Sequence, residues 1–297
     1  MISIRAAESD DDLVAWIEVR RRVLPNEPAG SLAQLRALAS PVRLLLRAEA
    51  GGAPGGSGLA DRSDTGDGFV APRVLPEHRR RGVGTALLER LLEHVHARGF
   101  ERARSLVDDE GSLAFAVRHG FDEVERQVEQ VRAVGDEQEP EPFAGLEFAT
   151  VEERPELLRL AYPLAAQGYA DLALATGTVT VTEEAWLRDE ATLPVGSFVA
   201  LAGGRVVGYA GLLAWVDDRT RAEHGLTVVE RAWRGRGLAP ALKRRQLAWA
   251  AGAGIREFVT WTQRGNEAMQ RVNERLGYVA RGVSRTVERA LWSPAGT

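Results

Sequence analysis

Apolar positions along this chain follow two rhythms, a period near two over short runs and a period near 3.6 over longer ones. Leu87, Leu88, Leu91, Leu92 and Val95 draw an apolar stripe along one face of a predicted helix, the mark of core packing. Ala239 to Ala251 predicts a matching helix with Pro240 in its first turn, where a missing N–H costs little. Ser197 to Ala202, then Gly203-Gly204, then Arg205 to Ala210 predicts a β-hairpin. Its counterpart earlier in the chain is Val42 to Arg47, a glycine-rich loop over 51–58 and a short strand near Leu59. Met1 to Arg5 and Leu146 to Val151 each predict an opening strand, and Leu226-Thr227-Val228-Val229 a later one.

Between strand and helix lies the same loop twice. Arg79-Arg80-Arg81-Gly82-Val83-Gly84 and Arg234-Gly235-Arg236-Gly237-Leu238-Ala239 both read Arg-x-x-Gly-x-Gly/Ala. Glycine lets successive N–H groups converge without an intervening Cβ, and the helix start adds its positive dipole end, so each loop suits a diphosphate. Neither loop carries the Gly-Lys-Ser/Thr of a nucleotide P-loop, and Leu87 or Leu242 stands where a dinucleotide fingerprint has its third glycine. Downstream, Ser112 to Phe121 and Met269 to Tyr278 each predict a short helix closing with Gly and an aromatic. Gly84 precedes Gly120 by 36 positions and Ala239 precedes Gly277 by 38, so the repeat extends over two homologous domains.

On these residues the chain resembles the GCN5-related N-acetyltransferase (GNAT) family in a tandem arrangement. The resemblance implies an α/β (α+β) fold of two tandem domains, each a mixed, mostly antiparallel sheet flanked by helices. It also implies acetyl-CoA, or a related acyl-CoA, as donor. The acidic, proline-bearing stretch 135–142 sets the expected boundary, with an N-terminal domain over 1–138 and a C-terminal domain over 145–297.

Length and composition agree with two cores. The chain has 297 residues, 44% hydrophobic and 27% charged. No apolar run approaches a membrane span and the first residues do not read as a signal peptide, so the expected location is cytoplasmic. With no cysteine, disulfides, thiolate metal ligands and a cysteine-linked acyl intermediate are excluded. A formal charge of −4 argues against nucleic acid as partner despite the runs Arg20 to Arg22 and Arg79 to Arg81. Lys243 is the only lysine. His94 and His96, at i and i+2 on a helix, diverge and make no metal site, and no metal is expected.

Acetyl transfer from a thioester to an amine needs a group that takes a proton from the ammonium and donors that steady the oxyanion. In the best-known members of the family the base is a glutamate on the strand before the loop. Glu223, eleven positions before Arg234, stands there; Ala222-Glu223-His224 equally reads as a solvated strand end. Counting the same eleven positions back from Arg79 gives Gly68, so the first copy is expected to be catalytically degenerate and the second catalytic. Many members carry a proton-donating tyrosine four positions before the helix-ending glycine, but this chain has Asn273 there and Ala116 in the first copy. Tyr278, Tyr209 and Tyr169 are then the candidate donors, Tyr278 the one assigned with Glu223 to catalysis. The resemblance assigns the donor to Val228, Val229, Arg234, Gly235, Arg236, Gly237, Leu238, Ala239, Asn266 and Asn273, and to Arg79, Arg81, Gly82 and Gly84 in the first copy. Tyr162 to Trp186, with Tyr169, Asp171, Glu183 and Glu184, suits a small amine or an ordinary amphipathic helix. The leading expectation is an acyl-CoA-dependent N-acyltransferase acting on a small-molecule amine as a monomer or homodimer. A non-catalytic acyl-CoA-binding or regulatory module is the alternative, and the missing loop lysine argues against a nucleotide enzyme.

Overall fold

The computed structural model describes residues 2–63, 65–138, 140–171 and 181–291. The chain divides into two compact units, Met1–Val124 with Arg285–Thr297, and Glu125–Ser284. The division is therefore two cuts rather than the one expected near 135–142.

In the first unit, β1 (Ile2–Ala6), β2 (Leu44–Ala50), β3 (Ala53–Arg62) and β4 (Gly68–Val74) form an antiparallel meander. Next to β4 lies β5 (Arg102–Val107) in parallel, and Arg285–Ala290 pairs antiparallel with β5. Helix α1 (Asp10–Val23) and the short α2 (Leu32–Ala37) precede β2, α3 (Val83–Ala97) follows β4, and α4 (Glu110–Arg118) follows β5. A capping box between Ser9 and Asp12 starts α1, with three aspartates in its first turn and Arg20, Arg21 and Arg22 in its last. That arginine run is a helix C-terminus, matched to the dipole. The stripe on α3 is buried through Leu87, Leu88, Leu91 and Val95 against Leu46, Ala60 and Val70.

The glycine-rich segment expected as a loop over 51–58 is mostly β3; only Gly51 and Gly52 turn the chain, both at positive φ. Gly56 and Gly58 lie under α3, where a Cβ would meet Leu87 Cδ1 at 3.1 Å and Leu91 Cδ1 at 3.2 Å. They are glycine because helix and sheet approach closely there.

The second unit repeats the plan with β7 (Glu147–Thr150), β8 (Phe198–Ala202), β9 (Arg205–Ala214), β10 (Arg221–Val229), β11 (Glu257–Gln263) and β6 (Asp122–Ala133). Among the described residues of this unit, β10–β11 is the parallel pair and the other pairings are antiparallel. The hairpin expected at 197–210 is β8 and β9, turning at Gly203 and Gly204 with φ of 57° and 82°. Helices α5 (Glu156–Asp171) and α6 (Glu183–Asp189) pack on one face, and α7 (Leu238–Ala253) and α8 (Glu267–Arg275) cover the other. Part of the acceptor stretch expected over 162–186, namely 172–180, lies outside the described residues.

Both short helices end in the way their sequences announced. Gly120 and Gly277 adopt φ of 77° and 84°, and the N–H groups of Phe121 and Tyr278 reach back to the carbonyls of Ala116 and Asn273. The aromatic then drops into the core, where Phe121 and Tyr278 are both buried.

Candidate active site

The β10 strand carries the feature that most distinguishes the two units. His224 pairs with Leu212 on β9 and Thr227 with Ala210, so three steps on β10 oppose two on β9, and Gly225-Leu226 forms a bulge. Parallel pairing with β11 covers only Arg221, Ala222 and Glu223; β11 continues to Gln263 against β6 instead. From His224 onward the two strands diverge, leaving a strand edge of backbone donors and acceptors. In the first unit β4 also leaves β5 after Gly68 and Phe69, but β3 and β4 keep unbroken register from Gly56–Val74 to Arg62–Gly68. The extra residue in β10 shifts the count. Glu223 pairs with Val259 as Phe69 pairs with Arg104, so Phe69 is the structural counterpart of Glu223 and Gly68 that of Ala222. Neither Gly68 nor Phe69 offers a carboxylate.

Both phosphate-type loops keep the same backbone. A 3-10 turn (Arg231–Trp233) leads to Arg234, then Gly235 at φ 73° and Gly237 at φ 85°, from which α7 begins with no side-chain cap. In the first unit Pro76–His78 leads to Arg79, then Arg80 at φ 61° and Gly82 at φ 85°. A left-handed arginine is uncommon, and it holds the shape that Gly235 adopts without strain. Nothing lies within 4 Å of a Cβ built on Gly235 or Gly237, and residues 235–237 are exposed. Gly84 is closed in by Val74 and by the Phe115 ring at 3.5 Å.

The first arginine of each loop is a latch. Arg234 Nε donates to the Val229 carbonyl at 3.0 Å, and Arg79 Nε to that of Val74 at 3.2 Å. Arg234 and Arg231 both donate to Asp171 at the end of α5, at 2.7 and 2.6 Å, which holds that carboxyl below its usual range. Arg81 and Arg236 are exposed, and Arg236 stacks over Trp233 at 5.3 Å. Leu238 is buried in the core with Ala239 packed beside it, and Val228 and Val229 are buried too, so these four can offer a ligand mainly backbone.

Alternation along β10 separates Glu223 from His224. His224 points into the α7 side, where its Nε2 meets the Tyr278 hydroxyl and its ring packs on Phe258. Burial holds His224 well below its ordinary pKa and pushes the Tyr278 phenol up. Lys243 of α7 lies over the Tyr278 ring at 5.4 Å, and burial alone depresses its pKa to about 7. Asn273 is fully buried and donates to Gln130 Oε1 at 3.0 Å and Thr262 Oγ1 at 3.4 Å, while Asn266 caps α8 by accepting from the Met269 N–H. Glu223 therefore faces away from Tyr278. The structure does not bring those two candidates together, and the Tyr278 ring fills the place of Phe121.

On the Glu223 face lies a group that the sequence reading missed. Glu190, just after α6, directs its carboxyl to the bulge and accepts from Tyr209 Oη at 3.1 Å and the Leu226 N–H at 3.3 Å. A Cβ on Gly225 would come within 2.9 Å of its Cδ, and one on Gly211 within 3.1 Å, with Oε1 closer still in both cases. Two strand-interior glycines thus make room for one carboxyl. Ala191, which follows it, takes φ 52°, an uncommon conformation for alanine that fixes the approach. Burial raises Glu190 to about 7 against the hydrogen bonds that lower it. Tyr169, Trp186 and Tyr209 stand beside it, with ring centroids 6.3 and 5.1 Å apart. Nothing in Arg188-Asp189-Glu190 marks it locally; the only sequence signal is glycine inside two strands.

The second unit thus combines a buried carboxyl on a bulged strand with an exposed glycine loop that opens a helix. The chain belongs to the acetyltransferase (GNAT) family, whose model matches residues 11–121 and 160–278. A mycothiol acetyltransferase of Geodermatophilus obscurus is 29% identical over 324 residues, covering 91% of this chain and 96% of that protein. Among solved structures, a GCN5-related N-acetyltransferase from Sphaerobacter thermophilus matches with a TM-score of 0.78 at 19% identity, over 100% of this chain and 98% of that one. A tandem GNAT protein from the clavulanic acid biosynthesis pathway matches with a TM-score of 0.77 at 20% identity, over 99% and 100%. The last two are likenesses of fold. Among the described residues no helix is long and apolar enough to cross a membrane, and no group of three or more His, Asp or Glu could hold a metal.

Proposed function

We propose that the second unit transfers an acetyl group from acetyl-CoA to the amine of a small molecule by direct attack. The observation that carries this reading is the Glu190 carboxyl seated on the β10 bulge, on the face that Glu223 shares. An amine arrives as its ammonium and must lose a proton before its nitrogen can attack the thioester carbon. Glu223 and Glu190 together attract that cation, and Glu190, with a pKa near 7, is matched to accepting its proton at neutral pH. Backbone N–H groups of the diverging β10 edge are suited to the oxyanion, and those around Gly235 and Gly237 to the diphosphate. The N–C bond forms, the C–S bond breaks, and the second proton of the nitrogen passes through water to the departing sulfur, so that coenzyme A leaves as the free thiol. This scheme leaves Tyr278 and Asn273 in the core, outside the chemistry.

The first unit has neither the bulge nor a carboxylate at Phe69, which supports a non-catalytic role for it. The name of the Geodermatophilus relative makes mycothiol-related amines the first acceptors to try. The test is amine-dependent release of free thiol from acetyl-CoA, with calorimetric binding of acetyl-CoA measured in parallel. Glu190→Gln and Glu223→Gln should each abolish release while preserving binding. Binding by the wild type with no turnover on any amine would favour the non-catalytic acyl-CoA-binding module.

A further inference from the structure

The face of the first unit that corresponds to the Glu190 pocket carries the opposite charge. Arg73 stands six positions before Arg79 as Val228 stands six before Arg234, and Ser57 pairs with Arg73 across β3 and β4 as Tyr209 pairs with Val228. Cross-strand partners project to the same side. Here that side faces α1, because the Arg73 guanidinium lies over the Trp16 ring at 5.4 Å and the Trp16 indole donates to the Gly58 carbonyl at 2.9 Å.

Both members of the pair are buried and short of partners. Arg73 is 9% exposed, yet among the described residues nothing accepts from its Nη1; Ser57 is fully buried, and its hydroxyl likewise has no partner. Arg20, one turn beyond Trp16 on α1, adds a second positive charge and is fixed by its bonds to the Pro28 carbonyl at 2.9 Å and to Glu27 at 3.0 Å. Desolvation and Arg20 both weaken the hold of Arg73 on its proton, lowering its pKa to about 9, so the site as folded is short of negative charge. The charges of Glu27, which also pairs with Arg20, and of Asp108 act in the other direction and more weakly. A desolvated guanidinium and a desolvated hydroxyl side by side are strongly unfavourable unless something accepts from both. The acceptor that fits a planar fork of N–H donors next to one O–H is a pair of coplanar oxygens.

We propose that the first unit binds a small carboxylate anion between α1 and the β3–β4 pair, with Arg73 and Ser57 as its donors. The two units then present complementary pockets at equivalent positions, one acidic and one basic. The site is independent of the transfer chemistry in the second unit.

The test uses the full chain in chloride-free buffer, with acetate, malonate and succinate as probes in calorimetry and thermal melts. The wild type is expected to bind at least one of them saturably with a raised melting temperature. Arg73→Met and Ser57→Ala should weaken that binding tenfold or more, and Arg73→Lys, which keeps the charge and loses the fork, should weaken it as well. A cooperative melt and unaltered circular dichroism of Arg73→Lys make its loss of binding informative even if Arg73→Met folds poorly. No saturable binding by the wild type at millimolar carboxylate, binding unchanged in Arg73→Lys, or chloride binding as tightly as the carboxylates would each overturn the assignment.

Discussion

Glu190→Gln is expected to make the protein more stable and the enzyme far slower. The ordinary pKa of the glutamate side chain is 4.5, and its burial at the bulge raises that to about 7. Because the folded state holds the proton more tightly than the unfolded chain, stability is greatest below pH 4.5 and falls as pH rises from 4.5 through 7. At about 1.4 kcal/mol per pH unit, the ionised carboxyl costs on the order of 3 kcal/mol above that window, and roughly 2.5 kcal/mol of the loss accrues between pH 5 and pH 8.5. The glutamine keeps the volume and accepts from Tyr209 and Leu226, but does not ionise. Urea denaturation of wild type and variant at the two pH values reads the difference. The variant should gain little at pH 5 and, at pH 8.5, show a midpoint higher by about 1 M or more. Its amine-dependent turnover should fall by roughly 10²–10⁴, the range for losing a general base, while the wild-type kcat/KM rises with pH through about 7. A stability gap that stays constant or shrinks with pH would refute the reasoning about burial; undiminished turnover would refute the role given to the carboxyl.

Three further outcomes follow from the same geometry. Gly225→Ala places a Cβ within 2.9 Å of Glu190 Cδ, so turnover should drop by at least about tenfold with acetyl-CoA affinity nearly intact, as steady-state kinetics and calorimetry together will show. Lys243→Met removes a buried amine whose pKa is lowered from 10.5 to about 7; the folded state binds fewer protons, so stability is lost as pH falls from 10.5 through 7, and the gain on substitution should be larger at pH 6 than at pH 9 in denaturant titrations. Gly237→Ala meets no atom within 4 Å but forces φ 85° on alanine, at a cost of about 1–2 kcal/mol; thermal melts should show that loss, and calorimetry a weaker hold on acetyl-CoA.

The sequence by itself determined the elements that depend on neighbours in the chain. The duplicated loops, the stripe on α3, the hairpin at Gly203-Gly204 and the helix ends at Gly120 and Gly277 were legible because turn chemistry and apolar period are local. The tertiary structure decided what depends on alignment between strands. The bulge at Gly225-Leu226 is one residue that no count along the chain reveals, and it moved the counterpart of Glu223 from Gly68 to Phe69. Gly56 and Gly58 read as loop until a helix packed on them. Tyr278 looked available for chemistry, and the fold spent it as the core anchor that Phe121 is in the other unit. Glu190 sits 33 positions before Glu223 in sequence and reaches the same face only because α6 delivers it there. Local sequence fixes which shapes a segment can take, while the charge state of a side chain follows from what is packed around it, and that is settled only once the chain has folded.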